Sequence, residues 1–176
     1  MFEPESRASH DDDWALLTNS PVHLFYREEV LAETVDQLRR RGYHVIEIDT
    51  AGWRHADDLH SGIARSVGFP EYYGRNPNAL NDCLDDVAFY EYGARRDSTG
   101  TVVVLSGFEQ FAHSNHDLAG ALLDIYAGVA RRALLIGHRM LCLVQTNDPD
   151  LEFKRVGASP VMWNSKEFLR AQRHSG

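Results

Sequence analysis

The stretch Thr101-Val102-Val103-Val104-Leu105 decides the fold. It is rich in β-branched residues, which predicts a strand. It lacks the apolar–polar alternation of a half-exposed strand, so both faces of its sheet should be covered, as in a parallel sheet packed between helices. Upstream lie a helix from Pro77 to about Val87 and a turn at Glu71-Tyr72-Tyr73-Gly74. Before them comes a helix over Asp57 to Val67, with Leu59, Ile63 and Val67 four apart and Gly68 and Pro70 at its end. Tyr43 to Thr50 reads as a strand, Arg27 to Arg41 as a helix, and Val22 to Tyr26 as a further strand. Downstream, a helix from about Asp117 to Arg132 precedes an apolar strand from Met140 to Val144. Val161-Met162-Trp163 is a last strand candidate and Lys166 to Gln172 a short helix. Strands alternating with helices predict an α/β chain with a mainly parallel sheet flanked by helices.

The 176 residues suit one domain. Residues 1–13 read as a disordered acidic tail, 14–146 as the α/β domain, and 147–176 as a C-terminal extension packed on it. The tail has neither the basic nor the apolar stretch of a signal peptide, and no window approaches a membrane span. Cys83 and Cys142 each sit in an apolar run, which suits a reducing compartment. The protein is therefore expected in the cytoplasm, with no membrane partner. A net charge of −8 argues against nucleic acid as partner, because phosphate repels it, and favours a basic protein.

The segment N-P-N-A-L-N-D-C-L-D-D-V, Asn76 to Val87, carries the functional reading. Asn76 is a favoured N-cap, and Pro77 stands where its missing N–H costs nothing. Leu80, Cys83, Leu84 and Val87 fall on one face; Asn78, Asn81, Asp82, Asp85 and Asp86 fall on the other. Asp82 meets Asp85 at i+3 and Asp86 at i+4, like charges costing a few tenths of a kcal/mol per pair. They also lie toward the helix end that disfavours anions. A locally unfavourable, exposed acidic face is the pattern expected of a functional surface.

Phe69-Pro70-Glu71-Tyr72-Tyr73-Gly74-Arg75-Asn76-Pro77-Asn78-Ala79-Leu80-Asn81-Asp82-Cys83-Leu84 resembles the signature of barstar-type inhibitors: a proline, E-Y-Y-G, an asparagine two residues later, then A-L-x-D-C-L. The resemblance takes in Asp58-Leu59-His60 upstream and Phe108-Glu109-Gln110 downstream, and so covers roughly residues 43–146. It implies a proteinaceous ribonuclease inhibitor, not an enzyme, whose E-Y-Y-G turn and following helix enter the nuclease active site as a phosphate mimic. The matching positions are Tyr72, Gly74, Asn76, Asn78 and Asp82, with Asp82 in the phosphate site. Asn81, Asp85 and Asp86 complete the expected partner-binding surface. The implied partner is a basic extracellular-type or toxin ribonuclease in a 1:1 complex, with no cofactor or metal. This chain departs from the family pattern in three places: Asn78 replaces an aspartate, Asn81 a tryptophan and Gly128 a glutamate. Those departures imply the same binding mode against a different nuclease.

Two other readings compete. Nine histidines invite a metal or hydrolytic enzyme. Yet His55 and His60 are not spaced to share a helix face, His113 and His116 fall in an expected loop, and no H-E-x-x-H or C-x-x-C spacing occurs. Scattered surface histidines are the expectation, and Cys83 is placed on an apolar face where thiols are inert. The second rival keeps the fold but binds a non-nuclease protein, such as a toxin of another class; a neighbouring gene for a basic nuclease distinguishes the two. Residues 14–42 and 147–176 lie outside the resemblance, and their sequence leaves open sheet extension, self-association or partner contact.

Overall fold

The computed structural model describes residues 16–174; the expected disordered tail, residues 1–13, lies outside them. The elements are β1 (Val22–Phe25), α1 (Glu28–Arg40), β2 (His44–Asp49), α2 (Ala56–Val67), α3 (Pro77–Ala88), β3 (Gly100–Ser106), α4 (Glu109–Ser114), α5 (His116–Leu134), β4 (Arg139–Gln145), β5 (Met162–Trp163), a 3-10 turn (Ser165–Glu167) and α6 (Arg170–Arg173). The sheet is five-stranded, ordered β2-β3-β4-β1-β5, and every neighbouring pair is parallel.

β3 lies between β2 and β4, with Val103 level with Ile46 on one side and Cys142 on the other. Its side chains part to two cores. Val103 and Leu105 join Leu59, Ile63, Leu80, Leu84, Leu122 and Tyr126 beneath α2, α3 and α5. Val102 and Val104 join Phe25, Val30, Leu31, Val35 and Leu38 beneath α1. Helices on both faces remove the reason for alternation, which is why β3 reads as one apolar run.

The ends of the helices follow from sequence. α1 has Glu28 and Glu29 in its first turn and Arg39 and Arg40 in its last, the order its dipole favours. α2 stops at Gly68, which adopts φ +82 and returns its N–H to Ala64 O.

One feature differs from expectation. His113 and His116, expected in a loop, lie in helices: His113 in α4 and His116 at the start of α5. Phe108, Phe111 and Ala112 are all fully buried, and their i, i+3, i+4 spacing is the helical signal. Of the roles the sequence left open for the flanking segments, sheet extension is observed for both, at the strand candidates Val22 to Tyr26 and Val161 to Trp163. β1 inserts between β4 and β5, and Leu151 and Val156 reach the inner core.

Candidate partner-binding surface

The turn before α3 is held from below. Tyr73 packs edge-to-face on Phe69 with centroids 5.0 Å apart, and its hydroxyl hydrogen-bonds Nδ1 of buried His60. Burial pushes the Tyr73 phenol up to about 12, so it stays a hydroxyl. With Tyr73 turned in, its neighbour Tyr72 is turned out and is 79% exposed. Arg75 then adopts φ +49, unusual for a side-chain-bearing residue, and leads into the helix.

Asn76 joins turn to helix. Its Nδ2 donates to Gly74 O at 3.1 Å, while its Oδ1 accepts the N–H of Ala79 at 2.9 Å. It is thus the N-cap foreseen from the sequence, with Pro77 at the first helical position. Leu80, Leu84 and Val87 bury the inner face of α3. Burial at about 1.5–3 kcal/mol per such side chain far outweighs like-charge repulsion of a few tenths on the outer face. Gly74, Asn76, Asn78 and Asp82 are exposed; Asn81, Asp85 and Asp86 are half-buried.

That burial corrects the picture of a uniformly free acidic face. Arg132, in the last turn of α5, crosses to α3. Its Nε donates to Asp85 Oδ1 at 2.9 Å, and its Nη2 donates to Asp85 Oδ2 at 2.9 Å and Asn81 Oδ1 at 2.8 Å. The Tyr92 hydroxyl lies 3.2 Å from Asp86 Oδ2 and 3.1 Å from Cys83 O. Burial first, then its neighbours Cys83 and Asp86, keep that phenol protonated well above its ordinary range. Asp82 stands apart: among the described residues it has no cationic partner, only a long contact from Asn81 Nδ2 at 3.5 Å. The helix therefore presents one uncompensated carboxylate on a rigid mount. Such a group can accept charge-assisted hydrogen bonds from guanidinium or imidazolium, as a phosphate oxygen does.

Arg132 was not among the residues singled out from sequence. An arginine late in a helix reads as an ordinary dipole contact, and nothing local points it at Asp85, 47 positions away.

The histidines also correct an expectation, since several are not on the surface. His60 is buried, and so are His23 and His138. His138 lies between Ala88 O and the Thr101 hydroxyl and stacks on Tyr90 at 4.1 Å. Each is part of the packing. Among the described residues no group of three or more histidine, cysteine, aspartate or glutamate side chains is placed to hold a metal ion. Cys83 and Cys142 are buried free thiols, and burial pushes Cys142 up to about 12. No helix among the described residues is long and apolar enough to cross a membrane.

A family model described as Barstar (barnase inhibitor) matches residues 43–145, from the start of β2 to the end of β4. No curated protein matches the chain significantly. Among solved structures, the Aeropyrum pernix ORC2 protein (ADPNP-ADP complexes) is similar over 77% of this chain, at 16% identity and a TM-score of 0.47. This chain spans only 37% of that protein's length, and the likeness is too loose to bear on function.

Proposed function

This chain belongs to the barstar family, and from that premise we propose that it inhibits a bacterial ribonuclease by blocking the active site with α3. Asp82 takes the place of a substrate phosphate and meets the cations that bind it. Tyr72, Gly74, Asn76 and Asn78 flank it on the turn and first helical turn, while Asn81, Asp85 and Asp86 form its edge. The partner is a basic ribonuclease of extracellular or toxin type, bound 1:1. The chain itself performs no turnover and uses no cofactor, and it works in the cytoplasm, where its two thiols stay reduced.

The observation that carries this reading is the isolation of Asp82. It is exposed and without a cationic partner among the described residues, whereas Asp85 beside it is already paired. A fold acting only for stability gains nothing from leaving that carboxylate unmatched in mid-helix, one turn from Asp85 and Asp86.

The test titrates the purified chain into a panel of basic bacterial ribonucleases cleaving a fluorogenic RNA. Wild type should inhibit a member stoichiometrically, and Asp82→Ala should weaken that inhibition at least about a hundredfold, because the enzyme's cations lose their counter-charge. Association should slow as salt rises, since steering between exposed charges is screened over about 8–10 Å. A chain that inhibits no ribonuclease would overturn the reading in favour of a non-nuclease partner. Undiminished inhibition by Asp82→Ala would remove the anchor role.

A further inference from the structure

The guanidinium of Arg132 is held in place before any partner arrives. Three of its N–H groups are spent on Asp85 and Asn81, and Nη1 makes no hydrogen bond to any described residue. Gly128 stands one turn earlier on α5, and its position lies at ordinary van der Waals distance from Nη1, 3.5 Å for a Cβ built there, so nothing there crowds that end of the fork. The Arg132 side chain is 44% exposed. Asn81 links this cation to the free carboxylate: its Oδ1 accepts from Arg132, and its Nδ2 lies 3.5 Å from Asp82 Oδ1. A fixed positive point and an uncompensated negative one therefore stand one amide side chain apart.

We propose that Arg132 determines specificity on the inhibitor surface. It selects a ribonuclease that offers a cation to Asp82 and, beside it, an aspartate or glutamate carboxylate to Nη1 of Arg132. This proposal rests on the inhibitor reading above. The Arg132–Asp85 pair contributes no net charge toward a partner, so α3 is not a uniformly acidic blade. A nuclease whose cleft rim carries only arginine and lysine finds Asp85 already neutralised and offers no acceptor to the Nη1 end of the fork, so it is disfavoured. A rim with a carboxylate at that point gains a charge-assisted contact. The contact costs little ordering, because the planar fork is already oriented by Asp85 and Asn81.

The test measures inhibition constants of wild type, Arg132→Ala, Arg132→Glu and Asp82→Ala against two purified basic bacterial ribonucleases. One has a carboxylate on its active-site rim; the rim of the other has only arginine and lysine. Arg132→Ala should weaken inhibition of the first and strengthen that of the second, each by about tenfold, and Arg132→Glu should widen both shifts. Asp82→Ala should weaken inhibition of both. If the Arg132 variants move both enzymes in one direction, or move neither, while Asp82→Ala weakens both, the specificity role is wrong and the inhibitor reading stands. If Asp82→Ala leaves both unchanged, the underlying reading is wrong. Thermal melts of the free variants should stay near wild type; an Arg132→Ala chain that unfolds would make the residue structural and overturn the proposal.

Discussion

Glu167 caps α1 through Arg27, the residue before the helix, 140 positions away in sequence. Arg27 precedes α1 but gives it no side-chain cap. Instead Glu167, fully buried, accepts the Arg27 backbone N–H at 2.8 Å and Arg27 Nε at 3.0 Å on one oxygen. Its other oxygen accepts the Tyr26 N–H at 3.0 Å and the side-chain amide of Asn164. A carboxylate at a helix N-terminus satisfies orphan donors and meets the positive end of the dipole. The C-terminal segment thereby fastens the β1–α1 unit, and both lie outside the family match.

Removing that carboxylate strands buried donors. Glu167→Ala is expected to cost about 2–3 kcal/mol of folding free energy and to lower Tm by roughly 4–12 °C. Urea unfolding and thermal melts check this. A variant that melts with wild type would mean that water takes over the Glu167 contacts without loss.

Asp82→Ala should leave stability within about 0.5 kcal/mol of wild type. The relief of like-charge repulsion is smaller than sequence alone suggests, because Asp85 is already tied to Arg132 and Asp86 bonded by Tyr92. Denaturant midpoints measured with and without salt test this. A loss above about 2 kcal/mol would mark Asp82 as structural, since exposed positions rarely carry that much.

Asn76 has two jobs that substitution separates. Asn76→Ala removes the cap to Ala79 and should cost about 1 kcal/mol, whereas Asn76→Ser keeps a capping oxygen and should cost less. Only the asparagine amide also donates to Gly74 O. Inhibition by Asn76→Ser should therefore fall below wild type even though the helix is intact. Equal inhibition by Asn76→Ser and wild type would show that the Gly74 contact does not shape the surface.

Acid should weaken the fold before the carboxylates titrate. Burial holds His23, His60 and His138 below their ordinary value. His23 shows why: its Nε2 donates to Leu16 O and Ser20 O, leaving Nδ1 buried and, among the described residues, without an acceptor for a second proton. A histidine whose folded pKa is lowered contributes its full stability above the unfolded value of about 6.5. That contribution is lost as pH falls below 6.5 toward and through the folded pKa. The Tm of the free chain should therefore drop between about pH 7.5 and pH 5. A flat Tm across that window would show that these histidines protonate without cost.

The sequence by itself determined the alternation of strands and helices, the burial of β3 on both faces, and the two-sided character of α3. These are local: they depend on side-chain period, on Pro77 and Asn76 at a helix start, and on glycines at helix ends. α4 was legible in the same terms through Phe108, Phe111 and Ala112, although a six-residue helix is easily taken for loop. The exposed position of Asp82 followed from periodicity too. What the tertiary structure alone decided is which of its neighbours remain free. Period places Asp82, Asp85 and Asp86 on one face, but Asp85 is paired by a residue of α5, and α5 lies beside α3 only because both pack under the same sheet. The strand order, with β1 between β4 and β5, and the Glu167 cap on α1 are likewise products of long-range packing. A period of 2 or 3.6 residues specifies a face, whereas a partner across 47 or 140 positions depends on how whole elements dock.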